Sequence, residues 1–138
     1  IEAAAPALFT ANANGQGLAA AVALRIKPDG TQLYERVADF DVVQQRFVPI
    51  PIDLGAATDQ NFLLLFGTGL RGRSNLDAVQ VRIGGLAVPP QSVGPQGDLA
   101  GLDQINLPLP RSLAGRGEVT IEMTVDGLIA NVVTVSIR

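Results

Sequence analysis

Between Glu118 and Val125 the chain alternates without a slip, with Val119, Ile121, Met123 and Val125 set against Glu118, Thr120, Glu122 and Thr124. A period of two puts one set on a core and the other in water, so the segment reads as a strand. The same alternation recurs in Val79, Val81 and Ile83 around Gln80 and Arg82. It appears again in Ile105, Leu107 and Leu109 around Gln104 and Asn106, and in Val133, Val135 and Ile137. In the first half, Leu18, Ala20, Val22, Leu24 and Ile26 share one face, with Arg25 and Lys27 on the other. Asn61-Phe62-Leu63-Leu64-Leu65-Phe66 is apolar on both faces, which predicts a central strand covered on both sides.

Turn residues punctuate these runs at near-regular intervals. Lys27-Pro28-Asp29-Gly30-Thr31 is a hairpin signal: Pro presets φ, Asp bonds its own backbone and Gly accepts positive φ. Gly84-Gly85 and Asp126-Gly127 predict two further tight turns. A weaker hairpin is expected from Phe40-Asp41-Val42-Val43 and Arg46-Phe47-Val48 around Gln44-Gln45. Pro6 opens a short edge strand to Thr10, and Pro49 and Pro51 limit the segment from Val48 to Leu54 to an edge. Leu86 to Val93 reads as a strand interrupted by Pro89-Pro90, and Pro110 to Gly115 as one helical or 3₁₀ turn. No amphipathic helix of ten or more residues is present in the pattern. The class is all-β, an immunoglobulin-like β-sandwich with an extra N-terminal β-hairpin. Residues 1–138 form one domain, with residues 18–48 as the hairpin elaboration and 60–138 as the core.

Composition narrows the chemistry. A chain of 138 residues is long enough for a sizeable core. It has no Cys, so it has neither disulfides nor thiolate metal sites. It has no His, which removes the commonest general base and metal ligand. There is no Trp and a single Tyr, Tyr34, so the usual platforms for sugars and stacked bases are scarce. The net charge of −3, with nine Arg and one Lys scattered along the chain, argues against nucleic acid. No apolar run approaches a membrane span. The opening Ile1-Glu2-Ala3-Ala4-Ala5-Pro6 has no initiator Met and no leader, and is expected to belong to a piece of a longer polypeptide.

Five groups of residues together carry a resemblance. They are Gly67-Thr68-Gly69-Leu70, Val81-Arg82-Ile83-Gly84-Gly85, Gly101-Leu102-Asp103-Gln104-Ile105-Asn106 with Pro110, Val125-Asp126-Gly127 with Asn131, and Pro6-Ala7-Leu8-Phe9-Thr10 with Gly15 and Gly17. The chain resembles an uncharacterised C-terminal domain of large exported proteins of Solibacter and related acidobacteria. Its second half is also similar to IPT/TIG-type immunoglobulin-like domains. The resemblance implies a multi-module parent protein in an extracellular, periplasmic or cell-surface setting. Its partners would be upstream modules of the same polypeptide and envelope or extracellular proteins. It supplies no catalytic residues and no cofactor.

Candidate site residues follow from charge and loop position. Arg71 and Arg73 could grip an anionic partner or be simply solvated. Asp98 and Asp103, with Asp77 or Asp59, could offer oxygens to Ca²⁺ or cap turns. Asp103 with Glu118 or Asp126 is the one carboxylate pair to weigh for hydrolysis. Ser74, Ser92 and Ser112 have no His and no nucleophile elbow, and Lys27 opens a turn where it should be charged. Gln104 and Asn106 lie on one face of a strand, as ligand contacts or as amides that satisfy backbone groups. Asn131 invites the same backbone-satisfying explanation. The expected function is a non-catalytic accessory module acting as spacer, interaction or attachment domain, with loops 12–17, 70–77 and 94–101 as contacts. The alternatives are a glycan-binding domain and, third, a hydrolase.

Overall fold

The computed structural model describes residues 6–70, 78–95 and 102–138. The chain is an all-β sandwich. Its strands are β1 (Ala7–Leu8), β2 (Gly17–Leu18), β3 (Ala21–Ile26), β4 (Gln32–Arg36), β5 (Ala38–Asp41), β6 (Arg46–Pro49) and β7 (Gln60–Thr68). They continue with β8 (Val79–Ile83), β9 (Leu86–Ala87), β10 (Ser92–Pro95), β11 (Asp103–Pro108), β12 (Gly117–Val125), β13 (Leu128–Ile129) and β14 (Val133–Ile137). The first sheet runs β10-β11-β7-β3-β4, with β1 added to the end of β7. The second runs β2-β14-β12-β8-β9, with β13 added to β12. Pairing is antiparallel except where β2 joins β14 and where Ile52 bridges Ile137. The β5–β6 pair is a separate two-stranded hairpin.

Alternation in the second half translates directly into the second sheet. Val79, Val81, Ile83, Val119, Ile121, Met123, Val125, Val133, Val135 and Ile137 all face the core. The Asp126-Gly127 turn has positive φ at both residues (50° and 81°), which matches the right-handed twist of the strands it joins. Pro89-Pro90 does not interrupt one strand. It carries the chain from β9 in the second sheet to β10 in the first, where missing N–H groups cost nothing. The 3₁₀ turn falls at Arg111–Leu113 and buries Leu113.

Two expectations change in the first half. The row Val22, Leu24 and Ile26 does share a face, but it is the outer one. Ala19 and Ala23 are in the core instead, with Ala21 packed against it. Register explains why: Ala23 lies beside Leu63 and Ala21 beside Leu65, so small and large side chains interdigitate on the inner face. β7 is central, as its apolar run requires, yet only its inner residues Leu63 and Leu65 join the core. Phe62, Leu64 and Phe66 lie on the other face with Val22 and Leu24, where Leu64 is buried and the two rings are partly buried. The weaker hairpin also shifts. Val42 to Gln45 forms its turn because the Asp41 carboxylate accepts the Val43 and Gln44 N–H groups, which leaves Val42 and Val43 at an exposed tip.

Candidate interaction surfaces

The core contains no aromatic side chain. All six aromatic residues, five Phe and one Tyr, keep part of the ring in solvent: Phe9, Tyr34, Phe40 and Phe47 are 42%, 61%, 45% and 38% exposed, and Phe62 and Phe66 are partly buried. Fully burying such a ring is worth roughly 1.5–3 kcal/mol, so a fold that keeps its rings at the surface forgoes part of that stabilisation. Ladder geometry links them. Tyr34, Leu24 and Phe62 lie in one row across β4, β3 and β7, and Arg36, Val22, Leu64 and Asn106 in the next. Phe9 donates its N–H to Phe66 O at 2.9 Å, so the two residues are neighbours. Phe66 and Phe47 line one shallow depression, and Phe47 meets Phe40 edge-to-face with centroids 5.3 Å apart.

The border of this surface is mostly polar and uncharged, with Arg36 at one edge. Gln32, Gln60, Gln104, Asn106 and Ser92 occupy the flanking positions, and among the described ladder positions of this outer face Arg36 is the one charge. The outer face of the second sheet is the opposite. It shows Gln80, Arg82, Glu118, Thr120, Glu122 and Thr124, a pattern suited to water.

Gln104 and Asn106 therefore sit beside Phe66 and Leu64 on the aromatic face. Among the described residues their amides bond each other. Gln104 donates from Nε2 to Asn106 Oδ1 at 2.8 Å. Asp103 points the other way and is buried, its Oδ2 accepting the Leu70 N–H at 3.0 Å. That bond fastens the end of β7 to β11. Arg71, Arg73 and Asp98 lie outside the described residues, as do Asp77 and Ser74 and most of loops 70–77 and 94–101. Lys27 is paired with Asp59 at 3.5 Å, and Arg25 lies 3.8 Å from the same carboxylate.

The strand geometry separates Asp103 from Glu118. Asp103 faces the inside of the sandwich, whereas Glu118 is on the outside of the second sheet. Among the described residues, no group of three or more acidic side chains could hold a metal ion.

Asn131 and Asn12 act as pieces of ladder. Asn131 Oδ1 accepts the Leu8 N–H at 2.7 Å, while its Nδ2 donates to Leu8 O at 2.9 Å and Gly15 O at 3.0 Å. Asn12 does the same for the hairpin, accepting Phe47 N–H at 2.7 Å and donating to Phe47 O at 3.2 Å. These two side chains fix the segments carrying Phe9 and Phe47. Arg111 ties the 54–59 turn by donating to the carbonyls of Leu54, Gly55, Ala56 and Asp59.

A cleft of about 470 Å³ opens on the outer face of the second sheet. Its floor is Gln80 and Arg82 of β8 and Glu122 and Thr124 of β12. Sequence patterning marked these residues only as solvent-facing. Pro89-Pro90, Ile129 and Val132 line the same cleft beside that floor.

Among the described residues no helix is long and apolar enough to cross a membrane. No family model, curated protein or solved structure matches the chain.

Proposed function

We propose that this chain is a non-catalytic interaction module of an exported bacterial protein, docking through the outer face of its first sheet. The observation that carries the proposal is the segregation of aromatics. Every Phe and the single Tyr lie outside the core, while amide side chains, with Arg36 the one charge, border the partly exposed Phe62 and Phe66. Aromatic side chains supply large contact area at little conformational cost and concentrate at protein interfaces. Charges are depleted at the centres of such interfaces, as they are here. The partner is a protein surface of matching low charge, on an upstream module of the same polypeptide or on an envelope or extracellular protein. An immunoglobulin-like sandwich and membership of the acidobacterial exported family belong to the same proposal, supported by two mainly antiparallel sheets about one aliphatic core.

The test is affinity capture from envelope and extracellular fractions, with wild type beside Leu24→Lys and Tyr34→Ala. Both variants should lose the captured protein, while Thr134→Lys on the second sheet should retain it. Equal capture by all four proteins contradicts the proposal.

One observation favours glycan binding as a second reading. Tyr34, Phe62 and Phe66 stand among Gln32, Gln60, Gln104 and Asn106, which combines stacking faces with amide donors and acceptors. A glycan array separates the two: neutral glycan hits abolished by Tyr34→Ala favour it, and an empty array removes it.

A further inference from the structure

We infer that Asn14 is a self-modifying residue, converted to a succinimide and then to aspartate or isoaspartate by the loop that holds it. Of the six Asn residues, Asn14 alone precedes a glycine. Asn14, Gly15 and Gln16 are exposed, so water reaches them, and Gly15 has no side chain to shield its amide nitrogen. Three hydrogen bonds arrange the reacting atoms. Asn14 Oδ1 accepts the Gln16 N–H at 3.0 Å, an Asx turn that folds the side chain back toward the peptide following it. The same oxygen accepts the Thr10 hydroxyl at 3.4 Å, a long bond that tightens as charge develops on the oxygen. Two donors on one carbonyl oxygen make Cγ more electrophilic and stabilise the product of attack.

The nucleophile is the Gly15 nitrogen, whose N–H is donated to Thr10 Oγ1 at 3.0 Å. Thr10 is buried, and its Oγ1 also accepts the Asn14 N–H at 3.1 Å, so the hydroxyl is held in place. One hydroxyl therefore touches both the nucleophile and the oxygen of the group attacked, and it accepts from one while donating to the other. As the Gly15 N–Cγ bond forms, the Gly15 proton passes to Thr10 Oγ1 and the Thr10 proton passes to Asn14 Oδ1. The tetrahedral intermediate then moves its hydroxyl proton to Nδ2, the Cγ–Nδ2 bond breaks, and ammonia leaves. Water opens the ring at either carbonyl. Opening to isoaspartate puts one more carbon in the backbone between Leu8 and Gly15, whose carbonyls Asn131 clamps together. Reacted chains hold β1 less firmly.

The experiment incubates the intact folded chain at neutral pH beside the same chain unfolded in guanidinium chloride. Conversion of Asn14 is read by peptide mass spectrometry, with an isoaspartyl methyltransferase assay for the isoaspartate fraction. Both samples contain the same Asn14-Gly15 pair, so their difference is the contribution of the fold. The folded chain should convert Asn14 at least about tenfold faster than the unfolded chain. Thr10→Val, which removes the hydroxyl, should slow the folded chain at least about tenfold, and Thr10→Ser should restore most of the rate. Hydrogen exchange at the Leu8 N–H should be faster in aged chains than in fresh ones. An Asn14 that stays unconverted, or one that converts as fast or faster when unfolded, would overturn the inference, and neither result depends on a variant folding. A folded Thr10→Val chain that reacts at the wild-type rate would overturn it as well.

Discussion

Asn131 shows how much of this fold depends on single side chains that imitate backbone. Its amide makes both ladder bonds to Leu8 and a third to Gly15, so β1 is held to the sandwich by a side chain as well as by β7. Asn131→Ala leaves a part-buried N–H and C=O without partners, and should destabilise the chain by about 2–3 kcal/mol in urea unfolding. Asn131→Asp keeps the acceptor for the Leu8 N–H but turns the donor into a second acceptor facing two carbonyls. It should cost at least as much. A loss below about 0.5 kcal/mol in both variants would show that β1 does not need this clamp. Asp103 is a second such residue, since its carboxylate closes the end of β7 through Leu70 rather than offering itself to a ligand.

Strands and turns divide sharply in how well the sequence announces them. The second sheet is legible because its strands bury one face only, so period-two patterning states both the element and its orientation. The first sheet hides its orientation, because β3 and β7 are apolar on both faces. Ala19, Ala21 and Ala23 look too small to be a core row, yet they face Leu63 and Leu65, and the larger Val22, Leu24 and Ile26 go outside. Patterning cannot tell a strand covered on both sides from one that keeps an apolar face for a partner. The overlooked signal was the placement of every aromatic before residue 67. Gly67, near the end of β7, lets β1 pass close. A Cβ at position 67 would overlap the Ala7 carbonyl oxygen. Gly67→Ala should therefore detach β1 or displace it, at a cost of about 1–3 kcal/mol, with hydrogen exchange at Leu8 and Phe9 accelerated and the second sheet unaffected. Unchanged protection at Leu8 would contradict the close approach.

Whole-molecule behaviour follows from the absence of His and Cys and from three turn carboxylates. Thr31 holds the Asp29 carboxyl below its ordinary 3.8, through hydrogen bonds from its side chain and backbone. The Gln44 N–H does the same for Asp41, and the Gly55 N–H for Asp53. In each case the ionised form makes the bond, so folding lowers proton affinity. The stability these turns add is complete above about pH 4–5 and is lost as pH falls through their depressed values. Thermal midpoints should be flat from pH 5.5 to 8, where no side chain of ordinary pKa titrates, and should decline below about pH 4. A step near pH 6.5 would contradict this.

Two faces of one sandwich are built for different surroundings, with charged and hydroxyl side chains on the second sheet and rings with amides on the first. The most direct measurement of that claim is photo-crosslinking in the cell envelope, with p-benzoylphenylalanine placed at Tyr34 in one protein and at Thr134 in another. A discrete protein adduct at position 34 and none at 134 is the expected result. Adducts of equal yield at both positions, or at 134 alone, would contradict a contact surface on the first sheet.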